Sequence, residues 1–239
     1  MLSETVSLLL PGRCVGCGAG GPSLCAGCAD PIRGPAWRHS PFPRPDGLPP
    51  LWAAARYGGP VRAALVAYKE RGRRDLCRPL AAALAVASLA ALAGTRVPLA
   101  MVGAGGVWLA VVPVPSRRAV ARRRGGDHVL RLARAVVGLL GPGAVVCPAL
   151  RPVGRMADSA GLDAAQRLAS RRGSLAFHPA LRRWLVTGPH PPPVLLVDDL
   201  VTTGATLAEA AEVLRRGGVR VNAAATVAAT ERNHRQALF

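Results

Sequence analysis

Short aliphatic runs that alternate with helical patterns are the feature that most constrains the fold of this chain. The runs carry no alternating polar residues, which is typical of strands buried on both faces of a parallel sheet. Between them, apolar residues recur three or four positions apart, as in amphipathic helices. This alternation predicts an α/β fold with a parallel sheet covered on both faces. The predicted strands are residues 107–115, 144–150, 194–197 and 219–227.

Proline, aspartate and glycine mark where the predicted helices begin and end. Pro60 opens one helix, the alanine-rich residues 81–92 form a second, and Asp127 caps a third. Thr206 and Glu209 fit a capping box at the start of a fourth helix. Residues typical of a helix C-terminus close that helix, namely Arg215, Arg216 and Gly217.

The segment VLLVDDLVTTGATL, residues 194–207, joins a predicted strand to this fourth helix. Asp198 and Asp199 follow the strand at its carboxyl end, where open α/β sheets bind ligands. Residues 200–206 form a turn whose backbone N–H groups and hydroxyls suit a phosphate at a helix N-terminus. The carboxylates suit sugar hydroxyls or act through Mg²⁺. A phosphate and a diol held side by side describe a ribose 5-phosphate.

Two other interpretations of this segment compete with a ribose 5-phosphate site. An aliphatic strand that ends in an acidic pair is also found at the Mg²⁺ end of ATPases, but those need a G-x-x-x-x-G-K-[ST] loop. The only lysine, Lys69, follows Tyr68 rather than glycine, which excludes that class. An ordinary capped helix with two solvated aspartates remains the structural alternative.

The same segment resembles the phosphoribosyl-pyrophosphate (PRPP) motif of the type I phosphoribosyltransferases. Within that superfamily, the cysteine cluster near the N-terminus (Cys14, Cys17, Cys25 and Cys28) and several other segments resemble the ComF (competence protein F) family. This resemblance covers almost the whole chain. The resemblance implies a type I phosphoribosyltransferase-like domain that binds Mg²⁺-PRPP. It implies PRPP-binding roles for Asp198, Asp199, Thr202, Thr203, Gly204, Ala205 and Thr206.

Two further segments resemble parts of that family. VVPVPSRRAVARRRGGDH, residues 111–128, resembles a strand followed by an arginine-rich loop that holds diphosphate, although its RRGGDH replaces the R-G-F-N-Q-like pattern usual there. AYKERGRRDL, residues 67–76, resembles a segment in which Lys69 either reaches a phosphate or base or is exposed to solvent. The resemblance implies diphosphate-binding roles for Arg117, Arg118, Arg122, Arg123 and Arg124.

Four cysteines in two C-x-x-C pairs lie within the first 28 residues: Cys14, Cys17, Cys25 and Cys28. Two such pairs place four thiolates around a tetrahedral Zn²⁺ in a closed structural site. A pair of disulfides is the alternative, but a reducing cytoplasm disfavours it. We therefore expect a small zinc ribbon, and the ComF resemblance implies the same.

The predicted organisation is a zinc-ribbon region (1–33), a proline-rich linker or wrap (34–50) and a phosphoribosyltransferase-like domain (51–239). The N-terminus lacks a basic start, and the bland stretch 80–93 is too short to span a membrane, so we expect a cytoplasmic protein without membrane insertion. A formal net charge of +18 favours anionic partners.

Two classes of function remain open, and no catalytic residue is assigned. The chain either transfers phosphoribosyl to an unknown acceptor or is a non-enzymatic nucleotide-binding accessory of DNA uptake in natural competence. The ComF resemblance implies DNA-uptake or recombination proteins as partners. The arginine excess is compatible with direct DNA binding, but the chain is only 4% aromatic, so no base-stacking platform is visible.

Overall fold

The structure is a computed structural model that describes residues 12–95, 97, 108–116, 126–153, 173–186 and 191–231. Its strands are β1 (Trp37–His39), β2 (Leu51–Arg56), β3 (Leu109–Pro113), β4 (Ala144–Val146), β5 (Leu150–Pro152), β6 (Leu175–Phe177), β7 (Val194–Val201) and β8 (Val221–Ala229). Its helices are α1 (Ala26–Arg33), α2 (Gly59–Glu70), α3 (Cys77–Gly94), α4 (His128–Leu140), α5 (Pro179–Val186) and α6 (Ala205–Arg216). A short 3₁₀ turn, Arg74–Leu76, precedes α3.

The main sheet has six strands in the order β1-β2-β8-β7-β3-β4. β1 is antiparallel to β2, whereas every other neighbouring pair is parallel. β5 and β6 form a separate antiparallel pair. This mostly parallel α/β sheet confirms the coarse fold that the sequence predicts. Its parallel strands end at one edge, so the residues that follow β3, β7 and β8 gather there.

The sheet separates two hydrophobic cores. On one face, Leu195 and Val197 of β7 pack in the core formed with helices α1 to α4. On the other face, Val194 and Leu196 pack in the core formed with α5, α6 and the β5–β6 pair. Successive residues of β7 therefore point to opposite faces, as expected for a strand.

The starts of α2 and α4 follow the sequence signals closely. Pro60 lies in the first turn of α2, where its missing N–H costs no hydrogen bond. The Asp127 carboxylate accepts hydrogen bonds from the backbone N–H groups of Val129 (3.0 Å) and Leu130 (3.2 Å) at the start of α4. The predicted helix 81–92 lies inside the longer α3.

The end of β7 differs from the prediction. The strand continues through both aspartates to Val201, because β8 pairs with it as far as Ala229. The turn is therefore shorter than predicted, and α6 begins at Ala205 with Gly204 as its N-cap. The predicted Thr206–Glu209 capping box is wrong, since Glu209 instead accepts hydrogen bonds from the backbone N–H groups of Ser174 and Leu175 at the start of β6.

The proline-rich segment 34–50 wraps against the body of the protein. It contributes β1 to the edge of the main sheet, and its Pro41 and Leu48 lie beside Gly204 at the N-terminus of α6. The predicted strand 144–150 is two strands, β4 and the start of β5, interrupted at Cys147–Ala149.

One helical segment among the described residues is long and apolar enough to cross a membrane, contrary to the expectation for residues 80–93. It comprises Arg74–Gly94, 21 residues with a mean hydropathy of 1.8. Over half of its apolar window, 56%, is buried within the fold. Leu80, Leu84 and Leu92 belong to the core on the α1–α4 face of the sheet, as in core helices of globular domains.

Candidate functional site

Asp199 is a buried carboxylate at the carboxyl end of β7, with a relative exposure of 3%. Its Oδ2 lies 3.1 Å from the Lys69 Nζ of α2 and 3.0 Å from the His128 Nε2 of α4. Burial alone raises the pKa of Asp199, but the His128 hydrogen bond and the Lys69 charge outweigh burial and hold the pKa below its usual range. Asp199 is therefore ionised and firmly held on the α1–α4 face of the sheet.

His128 links this carboxylate to the ends of the arginine-rich segment. Its Nδ1 lies 3.1 Å from the Ser116 Oγ, and the Ser116 backbone N–H donates to the Asp127 Oδ2 over 2.9 Å. Asp127 in turn caps α4. The hydrogen bond between Ser116 and Asp127 thus joins the segment after β3 to the start of α4, and His128 connects that segment to β7.

Asp198 lies in a different environment from its neighbour. It is half-buried, and its Oδ1 accepts a hydrogen bond from the Asp199 backbone N–H over 2.8 Å. Burial and the charge of Asp199 raise the pKa of Asp198 well above its usual range. In register beside it on β8 is Thr226, a fully buried residue whose Oγ1 has no hydrogen-bond partner among the described residues. Among the described residues, a buried hydroxyl without a hydrogen-bond partner therefore lies beside Asp198.

The turn after β7 leads directly into the N-terminus of α6. Thr202 is exposed, Thr203 and Thr206 are half-buried, and Gly204 and Ala205 are buried. Gly204 has a φ of 76°, a left-handed conformation, and an added Cβ would lie 3.1 Å from Pro41 Cγ. Position 204 thus favours glycine in both its backbone conformation and its close packing. The first N–H groups of α6 follow the acidic pair along the chain after this short turn, and the N-terminus of a helix can bind an anion.

The predicted diphosphate-binding arginines lie outside the described residues. These are Arg117, Arg118, Arg122, Arg123 and Arg124, which fall between Ser116 and Gly126. Ser116 and Asp127 fix the two flanks of that segment at the same sheet edge as the acidic pair.

The four predicted metal ligands, Cys14, Cys17, Cys25 and Cys28, do come together. Their Sγ atoms all lie within 4.8 Å of one another, so they could hold a metal ion such as zinc. The Cys17 and Cys25 Sγ atoms are 3.7 Å apart, close to the roughly 3.8 Å edge of a tetrahedron with Zn–S bonds of about 2.3 Å.

Local backbone contacts shape this cysteine cluster. The Cys25 backbone N–H donates to the Cys14 Sγ over 3.4 Å. This hydrogen bond, with weaker ones from Cys17 and Gly16, lowers the pKa of Cys14 to about 6. Burial raises the pKa of Cys28 to about 12, an effect that a bound cation opposes. Gly16 permits the close approach, because a Cβ there would lie 2.7 Å from the Cys28 Sγ.

Sequence reasoning missed three participants in the site. It left Lys69 between a ligand role and simple exposure, and it gave no role to Ser116 or His128. The adjacency of His128 to the helix-capping Asp127 was the available signal, since a cap fixes the position of the residue that follows it.

The fold and the sites together define an α/β protein with a mostly parallel sheet, an acidic pair near the carboxyl end of β7 and a four-cysteine cluster near its N-terminus. No protein-family model matches the chain, and no curated protein matches it.

Proposed function

We propose that this protein binds ribose 5-phosphate or Mg²⁺-PRPP at the carboxyl edge of its sheet, as a ComF-like member of the type I phosphoribosyltransferase superfamily. The observation that carries the proposal is the path of the chain from β7 through Thr202–Gly204 into α6. That path sets an acidic strand end beside a helix N-terminus, so one ligand with a phosphate and a diol can contact both.

The two halves of the proposed site have different roles. The backbone N–H groups that begin α6 and the hydroxyls of Thr202, Thr203 and Thr206 bind the 5-phosphate. Asp198, half-buried beside Thr226, accepts hydrogen bonds from the ribose hydroxyls. Mg²⁺ arrives with PRPP and neutralises its diphosphate, which the arginines between residues 117 and 124 contact.

We further propose that the four cysteines hold one structural Zn²⁺. All four positions of a tetrahedral ion are filled by thiolates, so no position remains for a reacting ligand. A role in DNA uptake, with DNA-processing proteins as partners, is the cellular context that the ComF resemblance favours.

Calorimetric titration with Mg²⁺-PRPP, ribose 5-phosphate, ribose and inorganic phosphate tests the binding proposal. PRPP and ribose 5-phosphate should both bind, and ribose should not, because it lacks the phosphate. No heat from either phosphorylated sugar, or equal affinity for ribose, would overturn the proposal. Release of pyrophosphate from PRPP across a panel of bases and amines then separates a transferase from a binding protein.

A matched pair of glycine variants ties that binding to the turn. Gly204→Ala should weaken ribose 5-phosphate at least about tenfold, because a Cβ at this left-handed position forces the turn to move. Gly138→Ala is the control, since Gly138 lies in α4 with an open surround. It should leave affinity unchanged and stabilise the fold by about 0.5–1 kcal/mol. Equal ligand affinity in both variants would place the phosphate elsewhere.

A further inference from the structure

The acidic pair at the end of β7 carries a cation of its own. The Lys69 Nζ lies 3.1 Å from the Asp199 Oδ2 and 3.5 Å from its Oδ1. The His128 Nε2 reaches the same Oδ2 at 3.0 Å. Both nitrogens therefore lie where a metal ion bound to Asp199 would have to approach.

Packing fixes the two nitrogen donors. Tyr68, which precedes Lys69, donates its hydroxyl proton to the His128 carbonyl oxygen over 3.0 Å, and the two rings meet edge to face at 6.2 Å. Tyr68 is among the largest fully buried side chains. Helices α2 and α4 are thus tied together at this point, so the positions of Lys69 and His128 are built into the fold.

Burial differs sharply across the ion pair. The Asp199 side chain is 4% exposed, whereas that of Lys69 is 34% exposed. The carboxylate therefore meets solvent far less than the ammonium that neutralises it. A hydrated divalent ion gives up its water reluctantly, and here it would also have to displace a resident positive charge.

We propose that Lys69 is a built-in cation for this acidic pair, so that the pair itself holds no divalent ion. Mg²⁺ then enters only on a ligand whose own phosphates carry it. The Lys69 ammonium thus occupies the place that a divalent ion would take at Asp199. The inference rests on the proposed function and deepens it, because it assigns Mg²⁺ to the ligand rather than to the protein.

Binding of Mn²⁺ alone to the zinc-loaded protein, followed by electron paramagnetic resonance, tests this role without any sugar phosphate. Mn²⁺ prefers oxygen ligands and reports bound and free ion separately. The wild type and Lys69→Arg should show no Mn²⁺ site at the pair. Lys69→Met should gain about one site per chain, and the double variant Lys69→Met/Asp199→Asn should lose it again.

Two outcomes would overturn the proposal. One is a Mn²⁺ site in the wild type that disappears in Asp199→Asn, a comparison that does not need the lysine variant to fold. The other is a folded Lys69→Met, verified by circular dichroism, that gains no site. Because no sugar phosphate is present, these results are separate from the titrations that decide whether the protein binds ribose 5-phosphate.

Discussion

At the scale of single residues, the geometry of β7 separates two aspartates that are adjacent in the sequence. Asp199 faces Lys69 and His128, which stabilise its charge. Asp198 lies in register with Thr226 instead, and both burial and its neighbour's charge disfavour its ionisation. The pair therefore consists of one carboxylate whose charge is stabilised and one whose charge is destabilised.

Their asparagine variants should change stability in opposite directions. Asp199→Asn should lower the free energy of unfolding by roughly 2–4 kcal/mol at pH 7, because it leaves the Lys69 ammonium without its counter-charge and weakens the acceptor that faces the His128 Nε2. Asp198→Asn should raise it, because it removes a carboxylate that the fold disfavours as an anion. Urea denaturation of both variants at pH 7 is the measurement.

The pH dependence of these differences follows from the pKa directions. The pKa of aspartate in the unfolded chain is about 3.9. The contribution of Asp199 is complete above that pH and is lost as the pH falls through its lower folded pKa. The penalty from Asp198 is absent below pH ~3.9 and grows as the pH rises toward its higher folded pKa. A destabilised Asp198→Asn at pH 7 would contradict this assignment.

The sequence assigns the acidic pair to the correct strand because a local pattern, an aliphatic run followed by polar residues, specifies it. It ends that strand too early, since both aspartates lie inside β7, two residues before its end. The partners of Asp199 are not local. Lys69 lies 130 positions away and His128 lies 71 positions away. Only the packing of α2 and α4 on the same face brings them together, and no spacing rule in one sequence encodes that packing.

At the scale of elements, α6 is fixed at its start by packing and along its length by Glu209. This carboxylate accepts hydrogen bonds from the Ser174 backbone N–H (2.7 Å), the Ser174 Oγ (2.8 Å) and the Leu175 backbone N–H (3.2 Å). The capping-box pattern failed because Ser174 and Leu175, at the start of β6, supply three donors to the side chain. A tertiary partner overrode a local motif, whereas Asp127, which follows the same kind of rule, does cap its helix.

Replacing Glu209 by alanine should loosen the β5–β6 pair rather than fray the start of α6. Two backbone N–H groups would lose a charged acceptor, which should lower the free energy of unfolding by about 1–3 kcal/mol. Hydrogen exchange should accelerate at the Leu175 amide and remain unchanged at the first amides of α6. Faster exchange confined to the start of α6 would restore the capping-box interpretation.

At the scale of the whole molecule, the cysteine lobe (residues 12–33) packs against the domain that contains the main sheet. Val15 and Leu24 pack on the core of the α1–α4 face. Ser23 donates a hydrogen bond to Asp75, whose pKa the Arg73 hydrogen bond lowers to about 2. The lobe is therefore attached by apolar contacts and by a hydrogen bond to a charged side chain. Its loss should lower the stability of α2 and the 3₁₀ turn before it lowers that of the sheet.

Cys17→Ser tests this attachment, because Cys17 is the exposed member of the cluster and its loss disturbs packing least. Metal analysis should find about one zinc per chain in the wild type and much less in the variant. Hydrogen exchange should accelerate in residues 12–33 and around Asp75, while the β7 and β8 amides stay protected, because the sheet keeps its own core.

Ser23→Ala is the control: it should keep the zinc and accelerate exchange only around Asp75, since it removes the tether and leaves all four thiolates. Wild-type protein without zinc under reducing conditions would contradict the metal site, and loss of β7 protection in Cys17→Ser would mean that the lobe and the sheet fold as one unit.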